Sequence, residues 1–599
     1  MKVIILDIFL ITFCFSQDIL EMRKKYLEKK ITDYNLLETY QFESEREKVL
    51  RDLILFEYYL DKKETDKAEK YAINLASFYP INQLINFRLG EYFFKNNLEE
   101  KAINYLENCV KKDSRFHEAR KYLAQSHYNL KNYSEAYRHF NVLSWFNPEK
   151  EILRKIDYLS NHIEYNLSEV SKEKKFTQIK SLKALIQTEI PYINVGISTK
   201  DNGKLMEIDC VKFYVSGKFV IYNDSGKEII KSEGGFDKEW MVVYRTSLRM
   251  FGIISPSMNK EYRVKSKYIF VIPETLDSTF YISEYRWFKK ILNQNKEFRG
   301  RLLIKRLKNQ IVVINSLPLD EYLYSVVPKE IGANAPLEAL KTQAVIARTT
   351  ALYRKKKKFH KYFDVCWGQH CQVYEGISGE QDSASYAVNH TIGEVITDRT
   401  GNLVNTFFHA NCGGISVVSC CFYNDEEIVY DYKNKTLPKP EENKDIYFWY
   451  ILPEIFDCNC KASYYVHDGT FRWLRTIKED LFSKHLNSKY KIGKLKNILV
   501  VSRRKNLYIN KLKIIGTERI KTLTLEHEIR NILPNGSLRS ASFFVEYNKN
   551  TQTYYFWGAG WGHGIGMCQG GSCNLSVEGK NYIEIIKHYY KEVNIKKIY

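Results

Sequence analysis

The spacing of apolar residues changes along the chain, from a helical period near the start to alternation further on. Two apolar columns repeat every 34 residues between residues 49 and 150, namely Leu55, Leu89 and Leu123, and Ala68, Ala102 and Ala136. A period of this length predicts helix pairs that bury their apolar faces against neighbouring pairs. From residue 190 onward, segments such as 192–197 and 209–217 alternate and are separated by Gly and Asn-Asp turns, which predicts strands.

The stretch from Ile311 to Arg348 combines a predicted strand with two predicted helices. Its first four residues are β-branched, which favours a strand. The apolar residues that follow share one helical face: Leu319, Tyr322, Leu323 and Val326. We expect Pro328 to end this helix, and Pro336 lies in the first turn of a second one.

Glu330 would then lie in the bend between the two helices. A carboxylate at such a bend is either solvated, as most Glu side chains are, or projects into a cleft. In a cleft, partial burial raises its pKa and makes it a general acid near neutral pH. Residue types alone leave both interpretations open.

Ordered sequence blocks resemble one known family. The run LPLDEYLYSVVPKEI, followed by APLEALKTQAVIARTTALY, is similar to the signature of the stage II sporulation protein D family, also called the LytB or amidase-enhancer family. Further blocks follow in that family's order: DVCWGQHCQVYEG at 364–376, AVNHTIGEVIT at 387–397, CGG at 412–414, LRSASFFVE at 538–546, GAGWGHGIGMCQ at 558–569 and YIEIIKHYY at 582–590. The resemblance implies a two-lobed α+β domain at 186–599. Within it, the segment 424–469 is polar, with Pro438, Pro440 and many charges, which predicts a mobile insertion.

The resemblance also implies an activity. A lytic transglycosylase of peptidoglycan cuts between N-acetylmuramic acid and N-acetylglucosamine with a single carboxyl group, and leaves a 1,6-anhydro end. The family's acid and base maps to Glu330, and Gln343 and Arg348 are implied to support it and bind substrate. The alternative is an amidase enhancer, which binds the cell wall and activates a partner amidase while Glu330 is idle.

The glycine-rich run at 558–566 is the other candidate wall of a sugar-binding groove. Its glycines allow close approach of the backbone to a ligand, and Trp557 and Trp561 could stack on sugar faces. His563 is either a substrate ligand or a structural residue in a tight turn. After Gln569 the chain has Gly-Gly-Ser where the family usually has Trp-Gly-Ala, so this edge of the groove departs from the family pattern.

The helical repeats at 18–150 resemble tetratricopeptide repeats. The period and the small-residue column carry this resemblance, which implies binding of a peptide or protein, such as an amidase or another cell-wall protein. They could instead act as a spacer. Residues 151–185, rich in Lys, Glu and Ser, are predicted to be a helical linker. The chain is therefore expected to be multidomain, with an all-α solenoid ahead of the α+β domain.

Residues 1–17 predict an export signal. Lys2 precedes a mainly apolar run to Phe15, and Ser16 offers a small residue near a cleavage site. Asp7 interrupts the run, and a buried first helix is the alternative. Since this run is too short to span a bilayer, we expect export to the periplasm or cell surface, with a tether only where the signal stays uncleaved.

The formal net charge of +20 favours an anionic partner. One dense cluster, Lys355 to Lys358, is typical of a solvated turn. Because the chain carries an export signal and lacks a basic recognition motif, nucleic acid is not an expected partner. The expected partner is peptidoglycan, through its glycan strands.

The cysteines occur in tight sets. Disulfides are the default in an exported protein, and the sets are Cys366 with Cys371, Cys412 with Cys420 and Cys421, Cys458 with Cys460, and Cys568 with Cys573. The alternative is metal, because His360, Cys366, His370 and Cys371 are ligand types that tetrahedral zinc prefers. The family resemblance also favours zinc near this motif. The activity requires no cofactor, so such a zinc would be structural.

Overall fold

The computed structural model describes most of the chain. The described residues are 19–31, 34–39, 42, 44–146, 149–160, 162, 190–256, 260–287, 290–417, 428–430, 443–452, 458–534 and 536–599. The predicted export signal at 1–17, residues 163–185 of the predicted linker, and Cys420 and Cys421 lie outside them. In the part of the chain that is described, no helix is long and apolar enough to cross a membrane.

The chain divides into two compact units, each built from two separate segments. One unit contains Met1–Asn166 and Phe408–Asn574, and the other contains Leu167–Phe407 and Leu575–Tyr599. The predicted division differs, because it separated the helical repeats from a single domain at 186–599. Instead, the helical repeats form one unit with Phe408–Asn574.

Buried ion pairs explain why the helical segment and Phe408–Asn574 form one unit. The Asp113 carboxylate is fully buried and accepts hydrogen bonds from Arg475 Nη1 at 2.7 Å and Arg539 Nη2 at 2.6 Å. Arg23 is also buried, and it pairs with Glu57 and Glu546. Such charges are rarely buried without partners, and no local pattern identifies partners hundreds of residues apart.

The N-terminal segment is all-α, as predicted. Its helices are α1 (Ile19–Leu27), α2 (Asn35–Thr39), α3 (Glu45–Asp61), α4 (Thr65–Asn74), α5 (Ile81–Lys95), α6 (Glu99–Lys112), α7 (His117–Asn129), α8 (Tyr133–Phe146) and α9 (Lys150–Ser160). Helices α3 and α4, α5 and α6, and α7 and α8 pack in pairs. Both repeating columns are buried, since each of the six residues is at most 1% exposed.

The segment up to residue 407 is rich in strands. Its strands are β1 (Tyr192–Gly196), β2 (Cys210–Val215), β3 (Phe219–Asn223), β4 (Glu228–Ser232), β5 (Trp240–Arg245), β6 (Met250–Ile254), β7 (Glu261–Val264), β8 (Tyr268–Pro273), β9 (Phe280–Trp287), β10 (Lys290–Phe298), β11 (Arg301–Arg306), β12 (Ile311–Pro318), β13 (Val365–Cys366) and β14 (Glu394–Thr397). Three helices lie among them: α10 (Leu319–Ile331), α11 (Leu337–Lys356) and α12 (Asp382–Asn389). A helical region followed by a strand-rich region is the predicted order.

Two sheets and helices α10, α11 and α12 share one hydrophobic core. The strand orders are β13-β1-β12-β11-β8-β3-β4 and β10-β9-β2-β5-β6-β7. Central strand β12 is buried along most of its length and pairs antiparallel with β1 and β11. It leads directly into α10, so the sheet holds the start of the helix that carries Glu330.

The segment from residue 408 to 574 contains smaller sheets. Its strands are β15 (Phe408–His409), β16 (Ile415–Val417), β17 (Ile428–Tyr430), β18 (Arg472–Lys478), β19 (Leu495–Arg503), β20 (Ile509–Gly516), β21 (Ile520–Leu523), β22 (Phe543–Asn548), β23 (Thr553–Ala559) and β24 (Met567–Cys568). Its helices are α13 (Asn443–Ile451), α14 (Asp468–Phe471), α15 (Glu479–Tyr490), α16 (Glu526–Arg530) and α17 (Gln569–Val577), the last of which continues into the other unit. The chain ends with α18 (Tyr582–Tyr589) and β25 (Asn594–Lys597), and β25 pairs with β14.

The described part of the predicted insertion at 424–469 belongs to a core. Helix α13 buries Trp449 and Tyr450 almost completely, and Cys458 and Cys460 are buried as well. The expectation of a mobile insertion is therefore wrong for this part. The reason is the aromatic run around Trp449, whose burial stabilises the helix, whereas the prediction rested on the prolines and charges earlier in the segment.

Candidate functional site

Glu330 lies in the last turn of α10, and not in a bend beyond it. The expectation that Pro328 ends the helix is wrong, because α10 continues through Pro328 to Ile331. A proline removes one backbone donor and one helical hydrogen bond, which a helix tolerates close to its end. Gly332, with a φ of 93°, then turns the chain towards α11.

The Glu330 carboxyl group is half-buried and has one close donor. The Val373 N–H donates to Glu330 Oε1 at 2.7 Å. Burial raises the pKa of Glu330 to about 7, against the lowering effects of the Val373 N–H and of the Arg354 guanidinium. A carboxyl group with this pKa is present in both protonation states near neutral pH, as a general acid and base requires.

The loop that carries Val373 is held by both neighbouring helices. Tyr322 of α10 donates its hydroxyl hydrogen to Gln372 Oε1 at 3.2 Å, and Gln372 is fully buried. Arg354 of α11 donates from Nη1 to the His370 carbonyl at 2.9 Å. The backbone donor that contacts Glu330 is therefore positioned by side chains of α10 and α11.

The same loop brings together the four predicted metal-ligating residues. One ligand atom from each of His360, Cys366, His370 and Cys371 lies within 4.8 Å of the others. The Nε2 atom of His360 is 3.1 Å from Cys371 Sγ, and Nδ1 of His370 is 3.6 Å from Cys366 Sγ and 3.8 Å from Cys371 Sγ. Ligand atoms around a tetrahedral zinc ion are about 3.3–3.8 Å apart, so this set could hold such an ion.

The predicted disulfides are not formed by the cysteines that the structure describes. Cys366 and Cys371 instead lie beside two histidines, and interaction with Cys366 and His360 lowers the pKa of the Cys371 thiol against the opposing effect of burial. Sequence spacing identified Cys366 and Cys371 as neighbours but left disulfide and metal as alternatives. The two imidazoles make this a mixed ligand set.

Gln343 and Arg348 of α11 lie in the interior of the protein and not on an open surface. Both are fully buried. Arg348 donates from Nε and Nη2 to Asp320 Oδ1 at 2.9 and 2.6 Å, and from Nη1 to the Glu394 carbonyl at 3.1 Å. Direct contact of Arg348 with substrate does not fit this burial. The guanidinium links α11 to α10 and β14.

Trp561 and His563 belong to the other compact unit. The guanidinium groups of Arg115 and Arg539 lie 4.7 and 4.4 Å from the centre of a Trp561 ring, as cation–π contacts. Burial, with smaller effects of His409 and Arg530, lowers the pKa of His563 to about 3, so its imidazole is neutral at pH 7. That these residues and Glu330 wall one groove stays a prediction. Trp557, the second candidate for stacking, is fully buried in the core.

Two contributors to the Glu330 site were missed from the sequence. The Val373 donor is a backbone group, which residue identity does not reveal. Arg354 was not singled out, and only the adjacent cluster Lys355 to Lys358 was noted, as a solvated turn. Its partner, the His370 carbonyl, is a backbone group outside the helix, so the sequence carried no signal for this contact.

Two segments match known protein families. Residues 307–397 match the family described as "Stage II sporulation protein". Residues 454–566 match a domain of unknown function, DUF8618. The first match contains Glu330 and the four residues of the metal-ligand set, and the second contains Cys458, Cys460, Trp561 and His563.

Relatives match about half of this chain, and two of them carry the names of the first family. An uncharacterized protein of Brachyspira hyodysenteriae is 27% identical over 305 residues, which cover 50% of this chain and 72% of that protein. Stage II sporulation protein D of Bacillus subtilis is 25% identical, over 49% of this chain and 78% of its own length. The amidase enhancer of Bacillus subtilis is 26% identical, over 45% of this chain and 39% of its own length.

Among solved structures, MamA from AMB-1 shares 18% identity with this chain at a TM-score of 0.21. The likeness covers 24% of this chain and 77% of that structure. A TM-score this low carries no argument. The interpretation of the N-terminal helices as repeats therefore rests on their 34-residue period and on the burial of both apolar columns.

Proposed function

The chain contains a domain of the stage II sporulation protein D and amidase-enhancer family, and on this premise we propose that it is a peptidoglycan lytic transglycosylase. Glu330 is its single acid and base. The observation that carries the proposal is the state of this carboxyl group, which is half-buried, held by the Val373 N–H, and raised in pKa to about 7. These are properties of a group that exchanges a proton near neutral pH.

The proposed reaction needs no water. Protonated Glu330 gives its proton to the oxygen that links the C1 atom of N-acetylmuramic acid to N-acetylglucosamine, and this C1–O bond breaks. The C6 hydroxyl oxygen of the same muramic ring then bonds to C1, and its proton passes to the Glu330 carboxylate. The products are a 1,6-anhydro end and a free N-acetylglucosamine end, and the enzyme regains its starting protonation state.

The Val373 N–H suits the second half of this cycle. A hydrogen bond to a carboxylate favours its charged form, so this donor stabilises Glu330 after it has lost its proton. Burial favours the protonated form. With the two effects opposed, the pKa stays near 7 and neither direction of proton transfer is strongly uphill.

We also propose a structural zinc ion on His360, Cys366, His370 and Cys371. When bound, the ion supplies a fixed tetrahedral anchor for the loop. Cys371 is two residues before Val373, and the His370 carbonyl already accepts from Arg354. The four ligands would therefore hold the Val373 N–H at its distance from Glu330, without contact between the metal and the substrate.

The pH dependence of kcat/KM tests the assignment of Glu330. The group must be protonated to act as the acid, so we expect kcat/KM to fall as the pH rises through about 7. Well above that pH the fall should approach tenfold per unit. Measured rates of anhydromuropeptide release between pH 5 and 9 check this. A profile that is flat across pH 6 to 8 would contradict it.

Loss of the proposed zinc ion should change the same profile. In Cys371→Ser we expect the zinc content to fall by one ion per chain and the Val373 N–H to lose its fixed position. A hydrogen bond to a charged group contributes about 1.5–3 kcal/mol, so its loss should move the alkaline limb to higher pH by about one unit or more. Cys210→Ser, a buried thiol away from this set, is the matched control. If the variant loses its zinc and the pH profile of kcat/KM stays unchanged, the metal does not position the Val373 N–H for Glu330.

A second function is favoured by the amidase enhancer among the relatives and by the helical repeats. Here the chain binds the cell wall and activates a partner amidase. We propose that the repeats are tetratricopeptide-like and bind a cell-wall protein in either case, and that the chain acts after export, in the periplasm or at the cell surface. Stacked helix pairs with buried columns suit such a protein-binding role.

One experiment separates the two functions. The purified full chain is incubated with intact peptidoglycan and with glycan strands stripped of peptides, and products are identified by mass spectrometry. Release of 1,6-anhydro ends without a partner supports the transglycosylase. If only an added amidase becomes faster, and no anhydro product forms, the enhancer function replaces it.

A further inference from the structure

A second cluster of potential metal ligands lies in the other unit, where three distant parts of the chain meet. His409 and Cys412 come from the start of its second segment, Cys460 from the predicted insertion, and Cys568 from the end of the glycine-rich run. All four are buried, with at most 4% exposure. The sequence blocks had paired Cys412, Cys460 and Cys568 with other cysteines, so only the fold brings them together.

The ligand atoms of three residues in this cluster lie close enough together for one metal ion, and Cys460 lies beside one of the three. The ligand atoms of His409, Cys412 and Cys568 lie within 4.8 Å of one another. The Sγ atoms of Cys412 and Cys460 are 3.6 Å apart, compared with about 2.05 Å in a disulfide. Two sulfur ligands of a tetrahedral zinc ion, each at about 2.3 Å from it, are about 3.8 Å apart.

His409 is oriented as a metal-ligating histidine is. Strands β15 and β24 pair in parallel and place His409 opposite Cys568. Its Nδ1 atom lies 3.0 Å from the Ile565 carbonyl, which fixes the tautomer with the hydrogen on Nδ1. Its Nε2 atom is buried and has no hydrogen-bond partner among the described residues. A buried lone pair of this kind is costly unless something binds it.

Backbone donors surround the sulfur atoms. The N–H groups of Cys412 and Gly571 donate to Cys568 Sγ at 3.2 and 3.3 Å, and the Gly414 N–H donates to Cys412 Sγ at 3.3 Å. Neutral thiols are weak acceptors, whereas these donors stabilise thiolates, the form that binds metal. Backbone donors therefore face the buried sulfur atoms of both Cys412 and Cys568.

We propose that His409, Cys412, Cys460 and Cys568 form a structural zinc site of the Cys3His type. Thiolate and imidazole ligands in this number are typical of structural zinc. The site would join Cys460 of the inserted segment to Cys412 and to Cys568, which follows the glycine-rich run. The backbones of Asn411, next to Cys412, and of Trp561, within that run, also exchange hydrogen bonds at 2.7 and 3.1 Å. The site goes beyond the proposed enzymatic function and does not depend on it.

Metal analysis of the untagged full chain tests the site. The informative variant is Cys366→Ser with Cys371→Ser, which removes the first ligand set and leaves the second intact. We expect this variant to retain one tightly bound zinc ion per chain. X-ray absorption spectroscopy should then report three sulfur ligands at about 2.3 Å and one nitrogen ligand at about 2.0–2.1 Å.

A further substitution and its control locate the ligands. Adding Cys568→Ser to that double variant should abolish the remaining zinc, whereas adding Cys573→Ser, a buried thiol five residues further on, should not. If the triple variant does not fold, the absorption spectrum of the double variant still decides. Absence of zinc from the folded double variant, or a Cys412–Cys460 disulfide in its unreduced digest, would overturn the proposal. If the parent chain binds zinc at this second site and none at His360, Cys366, His370 and Cys371, only the proposal for that first site is wrong.

Discussion

Glu330→Gln is expected to reduce the release of 1,6-anhydromuropeptides by about 10²- to 10⁴-fold, the usual contribution of a general acid. The amide has nearly the same shape, but it can neither give a proton to the glycosidic oxygen nor take one from the C6 hydroxyl. Product release by the purified full chain, followed by mass spectrometry on stripped glycan strands, measures the effect.

Glu375→Gln is the matched control. Glu375 lies two residues after Val373 and forms an ion pair with Lys329 at 2.7 Å, with both side chains about a third exposed. Such pairs contribute little to stability, so this variant should release product at close to the parental rate. If Glu330→Gln released anhydro products as fast as the parent, Glu330 would not be the acid.

Stability measurements distinguish lost chemistry from lost folding. A carboxyl group whose pKa is raised from 4.5 to about 7 in the folded chain binds its proton more tightly there. Its contribution to stability is therefore present at low pH and is lost as the pH rises from about 4.5 to about 7. Glutamine has no such dependence. Glu330→Gln should be at least as stable as the parent at pH 8, so inactivity at that pH would come from the missing proton donor.

Arg348→Met is expected to destabilise its unit by about 3–5 kcal/mol, the cost of removing one partner from a buried ion pair. Arg348 and Asp320 are both fully buried. With the guanidinium gone, the Asp320 carboxylate keeps the hydrogen bond from the Tyr599 hydroxyl, at 2.8 Å, but has no cation to balance its charge among the described residues. At about 2–4 °C per kcal/mol for a domain of this size, the melting temperature should fall by roughly 10 °C.

Arg399→Met provides the comparison. Arg399 pairs with Glu592 at 2.7 Å on the surface, where both side chains are more than 60% exposed, and we expect a change below about 1 kcal/mol. Kinetics separate the two roles considered for Arg348. A structural residue leaves KM unchanged in the fraction that stays folded, whereas a substrate ligand would raise KM in a protein of parental stability.

Local patterns predicted much of the fold near Glu330. The β-branched run predicted β12, and the helical spacing from Leu319 predicted α10. Pro336 was expected in the first turn of the second helix and lies one residue before it, as the N-cap of α11. The 34-residue columns predicted which side chains the N-terminal helices bury. These features follow from the period of apolar side chains along a helix or strand, and this period is a property of the sequence itself.

Only the tertiary structure decided the chemistry of the candidate sites. The pKa of Glu330 depends on how far the Val373 loop removes it from water, and the burial of Arg348 depends on Asp320 and β14. The set of His409, Cys412, Cys460 and Cys568 depends on three segments that meet after folding. The sequence by itself determined the elements and the ligand types, because these are local. Burial, charge pairing and the meeting of distant residues belong to the packed chain, where removal of water and opposing charges decide what each group does.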